Sequence, residues 1–307
     1  MPKILTLTTN LLAETTLEYP RWEKGKTHRA TGQSFQVGGK GINVVKMLAR
    51  LSAPATALCF PGGDSGRQCE RWLIENEIEF QPFPTPRETR IGSVVRVPGE
   101  PETTFLGIDS SVDPESVTAC CDTLAAQPPG TRLALCGIIR NWEDPAWDKL
   151  REELRIWNGH QTLAADTYGP PLRWIAELGA SLIKINRVEF SSLVGDVELA
   201  PADLPDALSG AVESFPVNRW VVSDGAADIW HIERGSDPRS FSPPKIEEVS
   251  PTGSGDILFA GILDGLLNRG FTLSRAIELG ARLASVSAAR PGIADFPNGE
   301  IEAALAY

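Results

Sequence analysis

Near the C-terminal end of the chain, Pro251-Thr252-Gly253-Ser254-Gly255-Asp256 stands directly before an apolar run that starts at Ile257. Glycines at a helix start let several backbone N–H groups converge on one point, which suits a phosphoryl oxyanion. A carboxylate at Asp256 then faces that point and can act as a general base. The plain structural alternative is an N-cap or first-turn carboxylate. The spacing is not a dinucleotide fingerprint, because Leu258 stands where the third glycine of G-x-G-x-x-G belongs. A second glycine turn, Gly38-Gly39-Lys40-Gly41-Ile42-Asn43, precedes an apolar helix over 44–51. Here too the backbone can approach a ligand closely, the helix start favours an anion, and Lys40 adds a point charge. Neither Lys40 nor Lys26 sits in a Walker A loop: Gly41 follows the first where Ser or Thr is required, and Pro20 replaces the leading glycine of the second.

These two turns need a frame that brings them together. Apolar runs at 4–7, 55–60, 133–136, 162–165, 181–185 and 220–222 read as strands, with helical patterns at 42–51, 65–76, 145–157, 257–268 and 274–289. Strands alternating with helices predict an α/β fold, a mainly parallel sheet covered on both faces. Two segments break the alternation, 14–37 and 91–106, the second reading as a hairpin around Pro98-Gly99-Glu100-Pro101. Excursions of β character in such a frame are often binding flaps; the alternative is edge strands of the main sheet.

Composition narrows the partners. Forty acidic and 29 basic side chains give a net charge of −11, the wrong sign for nucleic acid or anionic lipid. No apolar run approaches the length of a membrane span, and residues 1–13 lack the pattern of a signal peptide, so a cytoplasmic protein is expected. The five cysteines include no C-x-x-C and the three histidines are dispersed, which signals neither a disulfide framework nor a local metal site.

The two glycine turns, in this order, resemble the PfkB family of carbohydrate kinases, which has the ribokinase-like fold. The resemblance extends over the chain. Gly62-Gly63-Asp64-Ser65-Gly66 is similar to a family turn, Glu88-Thr89-Arg90 to E-T-R, and Asp166-Thr167-Tyr168-Gly169 to D-T-S-G. Lys184-Ile185-Asn186-Arg187-Val188-Glu189 is similar to K-P-N-x-x-E, and Val222-Ser223-Asp224-Gly225-Ala226-Ala227 to V-S-x-G-x-x-G. The nearest branch is the one that includes 1-phosphofructokinase and tagatose-6-phosphate kinase. It implies a single three-layer α/β/α domain over 1–307, with a small β-sheet lid of roughly 11–37 and 91–107. It implies ATP and Mg²⁺, with Asp256 as base and Gly253, Ser254 and Gly255 holding the transferred phosphoryl group. Asn186 and Glu189 would organise the metal. Lys184, Asn186, Thr252, Ser223 and Gly225 would border the nucleotide, with Gly280 and Ala284 walling the adenine. Gly39, Lys40, Asn43 and Arg90 would meet the sugar or its phosphate, and the lid sheets would clasp in a homodimer through Val94, Val95, Val97 and Phe105.

Two departures bear on the acceptor. The family's N-P-A-x-D is here Asn10-Leu11-Leu12-Ala13-Glu14, so its Asp is absent and either Glu14 or Asn10 takes its place. After a central strand, S-G-S-L-P-P-G is replaced by Cys136-Gly137-Ile138-Ile139-Arg140-Asn141-Trp142, where Arg140 can add a phosphate contact and Trp142 can stack on a ring or pack the loop. A basic patch over 21–29 reads as a solvated strand face or an anion funnel. The leading expectation is a kinase of a sugar phosphate. The alternatives are a kinase of an unphosphorylated sugar or nucleoside, and an inactive sugar-phosphate-binding regulator.

Overall fold

A strand at the centre of a parallel sheet is covered on both faces, and Ile4–Thr8 is buried at all five positions. The computed structural model describes residues 3–195 and 198–306. In chain order it holds β1 (Ile4–Thr8), β2 (Leu12–Glu18), β3 (Gly32–Gly38), α1 (Lys40–Arg50), β4 (Ala55–Cys59), α2 (Gly63–Glu75), β5 (Phe80–Pro82), β6 (Arg90–Arg96), β7 (Thr103–Leu106) and α3 (Pro114–Ala125). There follow β8 (Arg132–Cys136), α4 (Asp148–His160), β9 (Thr162–Asp166), α5 (Pro170–Leu178), β10 (Leu182–Asn186), α6 (Arg187–Val194), α7 (Leu204–Ser214) and β11 (Arg219–Ser223). The chain ends with β12 (Ile229–Glu233), β13 (Arg239–Phe241), α8 (Ser254–Leu267), α9 (Leu273–Ala288) and α10 (Asn298–Leu305).

Nine strands form one sheet in the order β13-β12-β11-β10-β9-β8-β1-β4-β5. All its pairings are parallel except the first two steps of that order, β13 to β12 and β12 to β11. Side chains alternate between faces: Ile4, Ala134 and Cys136 join a core with α1, α8 and α9, while Leu5, Leu7, Leu133 and Leu135 join another with α3, α4 and α5. The fold is therefore a three-layer α/β/α sandwich. Parallel pairing brings the C-terminal ends of β1, β8, β9, β10 and β11 to one edge, the usual place for a ligand in such sheets.

The segments outside the alternation pair with each other. β2 runs antiparallel to β3 and parallel to β6, and β7 closes a four-stranded sheet in the order β3-β2-β6-β7. This sheet is not an edge of the main one. β2 leaves the chain just after β1, and β3 returns at Gly38, directly before α1. Its hairpin tip touches the loop before α8, where the Glu102 carboxylate accepts from Thr252 Oγ1 at 2.9 Å and Ser250 Oγ at 3.3 Å.

The basic patch over 21–29 is an exposed irregular loop and belongs to no strand. Val94 and Val97 are buried within the chain, so of the four expected clasp residues only Val95 and Phe105 remain outside that buried layer. The helix expected over 145–157 is a 3₁₀ turn, Pro145–Trp147, followed by α4. Five helices that periodicity did not announce are α3, α5, α6, α7 and α10. Three of them carry Pro in the first turn, a residue that reads as a breaker yet suits that position.

Candidate active site

The start of α8 is shaped by its glycines. Gly253 has φ +77°, the left-handed region, and a Cβ there would press on Ile293 at 2.8 Å. Gly255 lets an ammonium lie against the first turn, since a Cβ would stand 2.9 Å from Lys184 Nζ. One position on, Asp256 is buried and its Oδ2 accepts from Asn43 Nδ2 at 2.8 Å. Asn43 reaches it from α1, whose own start is set by Gly39 at φ +121° and by Gly41, where a Cβ would collide with Thr8 Oγ1. Both glycine turns thus meet at the C-terminal edge of β1.

Burial and the nearby Asp166 carboxylate push Asp256 up to about 6, against the pull of Lys40, the Asn43 amide and Lys184. Asp166, at the end of β9, has the opposite fate. Burial opposes its charge, but Lys184 Nζ at 2.8 Å and Lys40 Nζ at 2.5 Å hold it below the usual carboxylate range. Lys40 also lies 3.3 Å from Glu189. Its own burial is outweighed by Asp166, Glu189 and Asp256, so it stays protonated well above the ordinary lysine range. Two carboxylates in one buried network are thereby driven apart, one ionised and one poised near neutrality.

This network ends in a cavity of about 600 Å³. Lys40, Lys184, Asn186, Gly253, Ser254, Gly255 and Asp256 line its polar end. Ser223, Gly225, Ile229, Pro243, Ile246 and Ala284 line the rest, an apolar slot beside a charged end. Asn186 caps α6, accepting from Glu189 N–H, while the Glu189 carboxylate accepts from Asn186 N–H at 2.9 Å. Among the described residues no group of three or more His, Cys, Asp or Glu side chains is placed to hold a metal ion unaided.

The other expected residues have the following surroundings. Lys40 lines the cavity with Lys184, and Arg90 is not among its lining residues. Gly280 is not among the cavity-lining residues; it packs against α8, where a Cβ would stand 2.4 Å from the Leu258 carbonyl oxygen. Thr252 is exposed and donates to Glu102. Trp142 is buried edge-on to Trp174 at 5.2 Å and packs the loop, closed to any ligand. Glu14 is buried on β2, accepts from Gln36 Nε2 and faces Lys46, whose burial pulls it down to about 8 despite Glu14 and Asp256. In the E-T-R segment, Glu88 accepts from the N–H groups of Asp64 and Ser65 at the start of α2, and Thr89 Oγ1 accepts from Gly62 N–H. Only Arg90 is left to face a ligand.

A second, smaller cavity of about 300 Å³ is lined by Thr9, Asn10, Asp109, Ser110, Arg140 and Asn141 among others, and Arg90 reaches it through Asp109. Both guanidiniums are paired with Asp109, Arg90 at 2.9 Å and Arg140 at 2.5 Å. Of the two side chains that could replace the family's Asp, Asn10 is the one at this cavity. Asp109 lies in a loop without pattern, and nothing in the sequence singles it out. Asp166 opens a recognisable motif, but its hold on two lysines is visible only in three dimensions.

A glycine-started helix carrying a buried carboxylate, set over the C-terminal edge of a sandwiched parallel sheet beneath a small second sheet, defines a ribokinase-like phosphotransferase. Residues 8–298 match the model of the pfkB family carbohydrate kinases, and the chain belongs to that family. It is therefore a phosphotransferase with an alcohol group as acceptor. It is 25% identical over 294 residues to 1-phosphofructokinase of Bacillus subtilis (strain 168), covering 93% of this chain and 92% of that protein. It is 27% identical over 312 residues to ATP-dependent 6-phosphofructokinase isozyme 2 of Mycobacterium tuberculosis (strain ATCC 25618 / H37Rv), covering 98% and 88%. Among solved structures, phosphofructokinase-2 from Escherichia coli in complex with potassium superposes with a TM-score of 0.90 at 21% identity, over 100% of this chain and 99% of that one. Ribokinase from Thermotoga maritima superposes with 0.78 at 18% identity over the full length of both. No helix among the described residues is long and apolar enough to cross a membrane.

Proposed function

We propose that the protein transfers the γ-phosphoryl group of ATP to a hydroxyl of a sugar phosphate, as the relatives named 1-phosphofructokinase and 6-phosphofructokinase do. The observation that carries this reading is the pairing of Asp256, raised to about 6, with the Lys184–Asp166–Lys40 network at a glycine-started helix. The acceptor hydroxyl gives its proton to Asp256 as its oxygen attacks the γ-phosphorus. The bond to the β–γ bridging oxygen breaks, and ADP leaves with the electron pair. The N–H groups at the start of α8 and Lys184 meet the charge on the transferred group. Asn43 holds Asp256 through its amide, while its Oδ1 is buried without a partner among the described residues and accepts from a second acceptor hydroxyl. Magnesium fits an all-oxygen donor set, and Asn186 and Glu189, already bonded to each other, would hold it. When bound it neutralises phosphate charge. The four-stranded sheet acts as a lid, its Glu102 tethered to Thr252 and Ser250, and excludes water from the transfer. Its exposed Ile91 and Phe105 offer an apolar face for a second copy.

A second reading, a kinase of an unphosphorylated sugar or nucleoside, is favoured by one observation: Arg90 and Arg140 already share a carboxylate. Initial rates against paired sugars and sugar phosphates separate the two. On the first reading Arg90→Ala raises the KM for the phosphorylated acceptor about tenfold to a hundredfold and leaves the KM for ATP in place. Equal losses with and without the acceptor phosphate favour the second.

A further inference from the structure

Asp109 sits in the irregular segment between β7 and α3, where its neighbour Ile108 is almost fully exposed. Its Oδ1 accepts from Arg90 Nη1 at 2.9 Å and from Asn10 Nδ2 at 2.7 Å, and its Oδ2 pairs with Arg140 Nε at 2.5 Å. One carboxylate thus bridges two guanidiniums brought from β6 and from the loop after β8. The pairing leaves donors over. Arg90 Nε is buried without a partner among the described residues, so the guanidinium is aimed inward with part of its fork unused. Two tetrahedral oxygens of a phosphate, or two oxygens of another dianion, fit such a fork better than the single oxygen Asp109 gives it.

Charge makes the occupancy exclusive. The cavity is lined by Arg140, Asp109 and Asp144, the last tied to Ala146 N–H at 2.8 Å, and Arg90 reaches it through its pair with Asp109. Two cations and two carboxylates sum to zero, which gives an incoming dianion no net attraction while Asp109 stays in place. Once Asp109 swings out with its exposed loop, the two arginines outweigh Asp144 and face the dianion with net positive charge. Burial works against the Asp109 charge, but the Asn10 amide and the two guanidiniums keep its carboxyl below the usual range, as a bound anion in this pocket would be.

We propose that Asp109 is a specificity-determining residue: it occupies the acceptor's anion subsite as an internal carboxylate, and a phosphorylated acceptor binds by displacing it. This rests on the reading that Arg90 faces the acceptor phosphate. The apparent affinity for any phosphorylated ligand is then lowered by the fraction of molecules in which Asp109 holds the arginines.

The test uses inorganic phosphate and the full chain without nucleotide. Phosphate affinity is read from the dependence of the melting temperature on phosphate concentration, for wild type, Asp109→Asn and Asp109→Ala. Both variants are expected to bind phosphate about tenfold or more tightly than wild type, and Arg90→Ala in the Asp109→Asn background to remove the gain. In turnover the KM for a phosphorylated acceptor falls in the same variants, with the KM for ATP as the internal control. Unchanged or weaker phosphate binding in both variants, or no binding in any of the three proteins, overturns the inference and makes Asp109 a strut that positions the arginines. The assay needs no turnover, so it separates the two claims. Tighter phosphate binding in the variants beside turnover of unphosphorylated sugars alone upholds the role of Asp109 and sinks the proposed acceptor.

Discussion

Asp256 combines a buried carboxylate, one amide donor and a second carboxylate nearby, and each has a measurable consequence. Asp256→Asn keeps the size and hydrogen-bonding capacity of the side chain but removes its basicity. If Asp256 is the base, kcat falls by about 10² to 10⁴ with nucleotide affinity retained. A nearly normal rate identifies it as a cap. In the wild type the base works ionised, so kcat/KM rises tenfold per pH unit up to about pH 6 and then levels, a limb the variant lacks. Stability moves the other way. A carboxyl raised on folding holds its proton in the native state at a pH where the unfolded chain has lost it. Its stabilising contribution is therefore full below about pH 4 and lost as pH rises through about 6. Asp256→Asn is expected to melt higher than wild type at pH 8, with the gap closing toward pH 4. At this scale the glycine turns were readable because glycine and a following helix are a local pattern. The charge network was not, since Lys40, Asp166, Lys184 and Glu189 come from four separate elements whose meeting depends on strand order.

The elements themselves were legible where burial leaves a mark on composition. β4, β8, β9, β10 and β11 were recognisable as short apolar runs, each within a residue or two of its limits. Helices opened by proline were passed over, and the antiparallel pair β12 and β13 carries no clean alternation. The α8–α9 crossing shows how an element can mislead in a second way. A small residue on a helix beside a nucleotide slot reads as a wall, and Ala284 does line the cavity. Gly280 instead serves the contact between helices: a Cβ on Gly261 would stand 2.4 Å from Gly280 Cα, and one on Gly280 equally close to a backbone carbonyl. Backbone cannot step aside, so Gly280→Ala must spread the pair, at a cost of about 1 to 3 kcal/mol. The shift tilts the α9 face that carries Ala281, Ala284 and Ser285, so the KM for ATP rises with the fall in Tm. Gly210, in α7 with nothing near its missing Cβ, is the control; Gly210→Ala leaves the KM alone and stabilises by about 0.5 to 1 kcal/mol. Equal melting temperatures for the two variants would show that the crossing relaxes freely.

Taken whole, the molecule is stitched by contacts far apart in sequence. The four-stranded sheet pairs β2 with β6, and the site closes on a hydrogen bond from Asn43 to Asp256 that spans 213 positions. The apolar face of α1, with Val44, Val45 and Leu48 fully buried, packs into one core with Ile257, Phe259 and Leu263 of α8. A chain cut at residue 249 keeps every described strand and loses α8, which covers this face, together with α9 and α10. It is expected to bind a hydrophobic dye and to melt without a cooperative transition, and a sharp two-state melt would refute this dependence of α1 on α8. The same feature reaches back to the ribosome. At about 5 to 20 residues per second, α1 emerges on the order of 10 to 40 s before α8 exists to cover it. During that interval the nascent chain displays an uncovered greasy helix. A chaperone that binds apolar surface is expected to hold ribosome-bound chains that end before α8 and to release those that extend past it.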